Sequence, residues 1–315
     1  MFLTAPSAVA AGQVFNPAVR VAIVDPQGNP VSRNNNVDIT LYLNSVDPRD
    51  TLLGTVTLPT AAGVAVFTNL SLKRATAGFR LIAVSRGLTG ATSPAFGVSV
   101  GPPAKLAFSV QPSSVIAGEK MVPAPQVVIQ DAVGNLIPND SGLVVLSVLT
   151  GPSGVIPRNN AVNELNGVAK FDSVRINTAN PLYSLQANAP ASRGLQAAVS
   201  NVFSVAPGAA FKLAWTQDAA NIGKNIAFSP SLKVAVADSM GNVVTSFTQN
   251  VTIDIDPPTN SNGAILNGTT TVACVSGVAT FAGISIDRAT PSSIRLRAYH
   301  ATLGDTARGT FFQVF

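Results

Sequence analysis

The chain has 315 residues, 46% of them hydrophobic but only 11% charged, against roughly 25% charge in an average soluble protein, so uncharged polar residues must cover much of its surface. Its net charge of +5 comes from 20 Lys and Arg against 15 Asp and Glu spread along the sequence. That spread lacks the basic cluster and aromatic platforms of a nucleic-acid face, and no nucleic-acid partner is expected. A single cysteine, Cys274, excludes an intrachain disulfide, a single histidine, His300, leaves little for nucleophilic or Cys/His zinc chemistry, and no apolar run is long enough to form a membrane span.

The first eleven residues resemble a signal peptide ending in Ala8-Val9-Ala10, but they lack a basic leading region. Phe2–Gly12 aligns without gaps with Phe108–Gly118, so it is read instead as the first strand of a repeat. The later copies precede this strand with Lys105-Leu106-Ala107 and Lys212-Leu213-Ala214. The first copy lacks that tripeptide, and the chain is therefore expected to begin inside a repeat, as a piece of a longer protein.

A second strand follows, with Val19, Val21 and Ile23 alternating with polar positions; its counterparts carry Val127 and Ile129, then Leu232, Val234 and Val236. Alternation with period two is the mark of a half-buried strand. Each ends in the string Asp-x-x-Gly-Asn, at Asp25, Gly28 and Asn29, at Asp131, Gly134 and Asn135, and at Asp238, Gly241 and Asn242, with the Asp residues 106 and then 107 residues apart. A fixed period of this kind is the signature of one structural unit written several times. The string is read as a hairpin turn, since Asp binds nearby backbone amides while Gly and Asn tolerate positive φ. The next strands alternate through Val37, Ile39 and Leu41, through Val144, Leu146 and Val148, and through Val251, Ile253 and Ile255.

A second motif, Gly-Val-Ala-x-Phe, then recurs and ends at Phe67, Phe171 and Phe281. After it come Phe79-x-Leu81-x-Ala83, Tyr183-x-Leu185-x-Ala187 and Ile294-x-Leu296-x-Ala298, and each copy closes on Phe-x-Val at Phe96, Phe203 and Phe312. About seven short alternating strands in about 100 residues predict an all-β fold of three immunoglobulin-like antiparallel β-sandwiches, with a small closed barrel as the alternative. The units are expected at residues 1–101 (its first strand short), 102–207 and 208–315. Proline-bearing joints, Val100–Ala104 and Val205–Ala209, stiffen the connections. Units of roughly 25–35 Å would make an elongated array on the order of 100 Å.

These motifs together resemble the bacterial immunoglobulin-like repeats of invasin-type adhesins and large repetitive surface proteins. The resemblance covers nearly the whole chain and implies an extracellular or cell-surface setting, although no terminal lectin-like or anchoring domain is recognisable. It implies a non-catalytic stalk or spacer, structural or adhesive, whose partners are neighbouring repeats or copies of itself. Two alternatives stand beside it. One is a self-assembling subunit of a filament, surface layer or viral appendage, in which the exposed edge beside the short first strand accepts a neighbour. The other is a carbohydrate-binding module, which would need an aromatic platform; Trp215, the one tryptophan, aligns with Phe108 and reads as a core residue.

Candidate sites are few, and no cofactor is expected. The recurrent Asp25, Asp131 and Asp238 are calcium candidates, but each is the lone recurrent acid of its turn, where calcium wants several converging oxygens. Asp254 and Asp256 are spaced to share a sheet face. Cys274 lies in an apolar run and is read as a buried thiol, and His300 as a loop residue. Lys105, Lys212 and Asn201 are the residues from which a Lys–Asn crosslink would have to form, but no acid is evidently buried with them. The tripeptides at Asn69, Asn139, Asn250 and Asn267 match glycosylation acceptors.

Overall fold

A computed structural model describes residues 1–32 and 36–315. The chain is all-β, and the only helical elements among the described residues are two 3₁₀ turns, Ala191–Arg193 and Pro257–Thr259. The first repeat contains β1 (Phe2–Thr4), β2 (Val9–Ala10), β3 (Val19–Ala22), β4 (Asp38–Asn44), β5 (Thr57–Pro59), β6 (Val64–Phe67), β7 (Thr76–Val84), β8 (Ala91–Thr92) and β9 (Phe96–Ser99). One sheet runs β1-β3-β6; the other runs β2-β9-β7-β4-β5, with β8 added to β7.

The second repeat reproduces that order. It contains β10 (Pro103–Val110), β11 (Val115–Ile116), β12 (Gln126–Asp131), β13 (Leu143–Thr150), β14 (Ala161–Asn163), β15 (Val168–Lys170), β16 (Asn180–Asn188), β17 (Ala198–Val199) and β18 (Phe203–Ala206). Its sheets run β10-β12-β15 and β11-β18-β16-β13-β14. Each repeat therefore has more strands than the sequence pattern suggests, because edge pieces as short as β2, β8, β11 and β17 are too brief to alternate. The pairings are antiparallel except β2 with β9 and β11 with β18, which run parallel.

The third repeat contains β19 (Lys212–Gln217), β20 (Leu232–Ala237), β21 (Asn250–Ile255), β22 (Leu266–Asn267), β23 (Thr271–Ala273), β24 (Val278–Phe281), β25 (Ser285–Ile286), β26 (Leu296–Tyr299) and β27 (Thr306–Arg308). Its first sheet, β19-β20-β24, matches the others. Its closing Phe312 and Val314 are held by isolated bridges to Ile294 and Ile222 rather than by a continuous strand.

Side chains from the paired sheets meet in three hydrophobic clusters. The alternating residues supply them, and Phe67, Phe171 and Phe281 are fully buried. Each such phenylalanine contributes about 1.5–3 kcal/mol by leaving water. In the first strands, Phe2, Phe108 and Trp215 pair with Val21, Val127 and Val234. One step further, Leu106 faces Ile129 and Leu213 faces Val236. In the first repeat the Met1 ammonium instead donates to the Ala22 carbonyl at 2.8 Å. A groove of about 460 Å³ opens there beside Val21, Ile23, Ile39 and Ala83.

The glycine that opens the Gly-Val-Ala motif couples it to the Asp turn. Gly63, Gly167 and Gly277 all have positive φ, and a Cβ at each would run into the carbonyl oxygen of Val31, Ile137 or Val244, two residues beyond the asparagine of the turn. Gly134 also has positive φ but has open space around it. Gly167→Ala is therefore expected to destabilise the chain by at least about 2 kcal/mol, and Gly134→Ala by no more than the roughly 1–2 kcal/mol of a left-handed residue, both measured by chemical denaturation.

Candidate functional site

The Asp-x-x-Gly-Asn turn has the same internal geometry in all three copies. In the first, the Gln27 and Asn29 amides donate to Asp25 Oδ1 at 3.0 and 2.8 Å, and Asn29 Nδ2 donates to Asp25 Oδ2 at 3.1 Å. In the second, the Val133 and Asn135 amides donate to Asp131 Oδ1 at 3.1 and 2.8 Å, and Asn135 Nδ2 donates to Oδ2 at 2.7 Å. In the third, Met240 and Asn242 do the same to Asp238 at 2.9 and 2.8 Å, with the side-chain bond at 2.9 Å. The aspartate thus satisfies the turn's backbone donors and fixes the plane of the asparagine amide.

The fixed amide also reaches across the junction, a contact that neither the turn pattern nor the recurrence of the aspartates reveals. Asn135 Nδ2 also donates to the Lys73 carbonyl of the first repeat at 2.7 Å, and the Ala75 amide donates to Asn135 Oδ1 at 3.0 Å. Asn242 repeats this across the next junction, donating to the Asn177 carbonyl at 2.7 Å and accepting from the Ala179 amide at 2.7 Å. The aspartates bind the connecting segments as well, with the Gly101 amide 3.0 Å from Asp131 Oδ2 and the Gly208 amide 2.8 Å from Asp238 Oδ2. Each junction is therefore closed by one Asp and one Asn that hold three backbone groups of the preceding repeat and its connection.

A packing contact sits beside each clamp. Gly12, at positive φ, lies so close to Val133 that a Cβ there would come within 2.9 Å of Cγ1, and one on Gly118 would lie 3.4 Å from Met240 Cγ. Val133 and Met240 occupy the same place in the string, two residues after the aspartate. Asp131 and Asp238 are buried, whereas Asp25 is half-buried and Asn29 exposed.

Burial pushes the carboxyls of Asp131 and Asp238 up, but hydrogen bonds from the Asn135 or Asn242 side chain, and from the Gly101 or Gly208 amide, outweigh it and hold both below the ordinary value. Hydrogen bonds from the Asn29 amide and side chain lower Asp25 as well. None of these aspartates belongs to a group of three or more His, Cys, Asp or Glu among the described residues. Asp254 and Asp256 face arginines instead: Arg297 grips Asp254 with bonds of 2.6 and 2.7 Å, while Arg295 and Arg308 approach Asp256 at 2.7 and 3.3 Å.

The remaining candidates are dispersed. Cys274 lies in the third core, where burial pushes its thiol up. His300 follows β26 but is buried rather than displayed on a loop, its Nδ1 3.2 Å from the Thr302 amide and its ring edge-on to Phe247. Trp215 packs against the third core, and its Nε1 donates to the Ala307 carbonyl at 3.2 Å. The Lys105 ammonium lies 3.4 Å from the Ala132 carbonyl in an exposed contact, and Asn201 is exposed. The Asn69 side chain is engaged with Thr55. No helix among the described residues is long and apolar enough to cross a membrane.

No protein-family model matches the chain, and no curated protein matches it. Solved structures similar to it include the extracellular domain of protocadherin gamma B4, 14% identical over 100% of this chain and 49% of that one, with a TM-score of 0.31. Extracellular domains 3–5 of Drosophila OTK are 10% identical over 99% of this chain and 95% of that one, at 0.28. A β-glycosidase from Bacteroides vulgatus is 11% identical over 67% of this chain and 25% of that one, at 0.29. This chain spans a quarter of the glycosidase and about half of the protocadherin fragment. At these TM-scores the likenesses carry no argument about function.

The lowered carboxyls give the junctions a pH dependence of definite sign. A depressed acid stabilises the closed arrangement above the free-carboxylate value of about 3.9, and this contribution is lost as pH falls through the lower folded value. Small-angle scattering profiles are expected to coincide at pH 7 and 5, and to show a broadened distribution of shapes only as the pH falls below about 4.

Proposed function

We propose that the chain is a non-catalytic, load-spanning stretch of an extracellular stalk, in which sandwiches at 1–101, 102–207 and 208–315 are held in fixed succession. The supporting observation is the identity of the two junctions. Asn135 and Asn242 make the same pair of bonds to the preceding repeat, and Asp131 and Asp238 hold the same glycine amide of the connection. A flexible tether has no need of a buried carboxylate at each joint. A spacer that must keep direction over its length does.

Magnitudes support a stiff joint. Two of the three bonds at each junction join neutral groups, at about 1 kcal/mol net each, and the third, to the ionised aspartate, contributes about 1.5–3 kcal/mol, which together keep the open alternative below about one in a hundred. Removing the asparagine side chain takes away the two neutral bonds and raises the open population roughly 30-fold. The sparse charge and the motifs shared with bacterial immunoglobulin-like surface repeats favour a bacterial cell-surface setting. Carbohydrate binding is less favoured, because the indole of Trp215 is committed to the third core and to Ala307.

The double variant Asn135→Ala/Asn242→Ala tests this reading. Scattering from the wild-type chain should fit one elongated shape, whereas the variant should need a mixture of extended and bent forms at unchanged melting temperature. An unchanged scattering curve would remove the stiff-stalk reading.

A further inference from the structure

We propose that the exposed Asp25–Asn29 turn of one copy docks on the Asp287–Ala289 end of the third repeat of a second copy, so that chains associate head to tail. The proposal rests on the junction reading above and extends it from within the chain to between chains.

The head of the first repeat is already set for such a contact. Its turn holds Asn29 by the same internal bonds that hold Asn135 and Asn242, yet the asparagine is exposed and its Oδ1 has no partner among the described residues. At the other end of the chain, Asp287 and Ala289 stand where Lys73 and Ala75, and Asn177 and Ala179, stand in the internal junctions. Each set follows a matching pair of buried residues, Leu70 and Leu72, Val174 and Ile176, or Ile284 and Ile286. Thr290 then donates to the Val314 carbonyl, at the position where Thr76 pairs with Val98 and Asn180 with Val205. The Asp287 carbonyl and the Ala289 amide, the groups an incoming asparagine would bind, have no partner among the described residues.

The packing contact beside the clamp changes on both ends together. The Gly12 and Gly118 amides donate to the carbonyls of Leu72 and Ile176; in the third repeat the residue donating to the equivalent Ile286 carbonyl is Asn225, with φ of 59°. An asparagine there fills the seat that Val133 and Met240 take in the internal junctions. On the head, the place of Val133 and Met240 is held by Gln27, which is exposed. An apolar side chain seated on glycine inside the chain is thus exchanged for one amide facing another at the ends, and two amides satisfy each other's donors and acceptors. The exchange also discriminates, since pressing Val133 or Met240 onto Asn225 would bury an unsatisfied amide.

Contact between separate copies lacks the bond from the connecting segment and the effective concentration that a tether supplies, so it is expected only at high protein concentration. The test uses the full chain carrying Pro26→Cys and Arg288→Cys, both at exposed positions beside the contact, with buried Cys274 left in place. A short bis-maleimide is added over a concentration series. The expected result is a ladder of covalent multimers several-fold stronger than that given by a control pair, Pro26→Cys with Thr280→Cys. Adding Asn29→Ala or Gln27→Val should cut the ladder to the control level without changing the melting temperature.

A ladder no stronger than the control, or one indifferent to both substitutions, overturns the proposal. Failure of the junction reading is separately visible, as unchanged scattering of the Asn135→Ala/Asn242→Ala chain. If that variant bends while the cysteine pair gives no ladder, the internal clamp stands and head-to-tail association does not.

Discussion

The arrangement of the repeats depends on one carboxylate–amide pair. Asp131 and Asp238 each bind the side-chain nitrogen of the asparagine four residues on, at 2.7 and 2.9 Å, and so decide which way that amide faces. An asparagine free to rotate would lose side-chain entropy on docking and would offer the wrong edge half the time. With its plane fixed by the aspartate, one edge is left to meet a carbonyl and an amide of the preceding repeat. The same carboxylate takes the glycine amide of the connecting segment, so turn, junction and connection share one charged group. Its partners are partly shielded from water, where bonds to an ionised acceptor are among the stronger hydrogen bonds.

This constraint operates one level above the hydrophobic effect. The three clusters account for folding within each repeat, and Val133 of the second repeat also packs against the core of the first. Apolar contact at the junctions includes Val133 beside Gly12 and Met240 beside Gly118. The directional bonds of the clamp add to this contact a specified geometry. The Gly-Val-Ala motif belongs to the same system. Its glycine lets the chain pass against the carbonyl of Val31, Ile137 or Val244, which anchors the far side of the turn to the first sheet.

Much of the fold is legible in the sequence because the buried residues repeat at period two and at a period near 106 residues. Phe67, Phe171 and Phe281 are read as repeat-defining from their motif alone, and each is fully buried. The short edge strands and the parallel pairing of β2 with β9 leave no such trace, because two residues cannot alternate. The role of Asn135 and Asn242 is hidden for a different reason. Their partners are backbone groups of Lys73, Ala75, Asn177 and Ala179, whose side chains carry no sign of the contact. A signal did exist two residues after each aspartate, where Val133 and Met240 sit in a polar turn while Gln27 stands in the first copy. His300 lies in the loop after β26, as read from the sequence, but occurrence in one copy of three carries no information on burial, and its ring packs beside Phe247.

The central claim is that the asparagine clamp sets the angle between repeats, and a distance distribution across one junction tests it most directly. Spin labels at Thr92 and Lys170, exposed positions on the first and second repeats, report that angle by double electron–electron resonance. A single narrow distribution is expected for the otherwise unaltered chain, and a markedly broader one when Asn135→Ala is added. Equal widths in the two proteins, whether narrow or broad, would contradict the account.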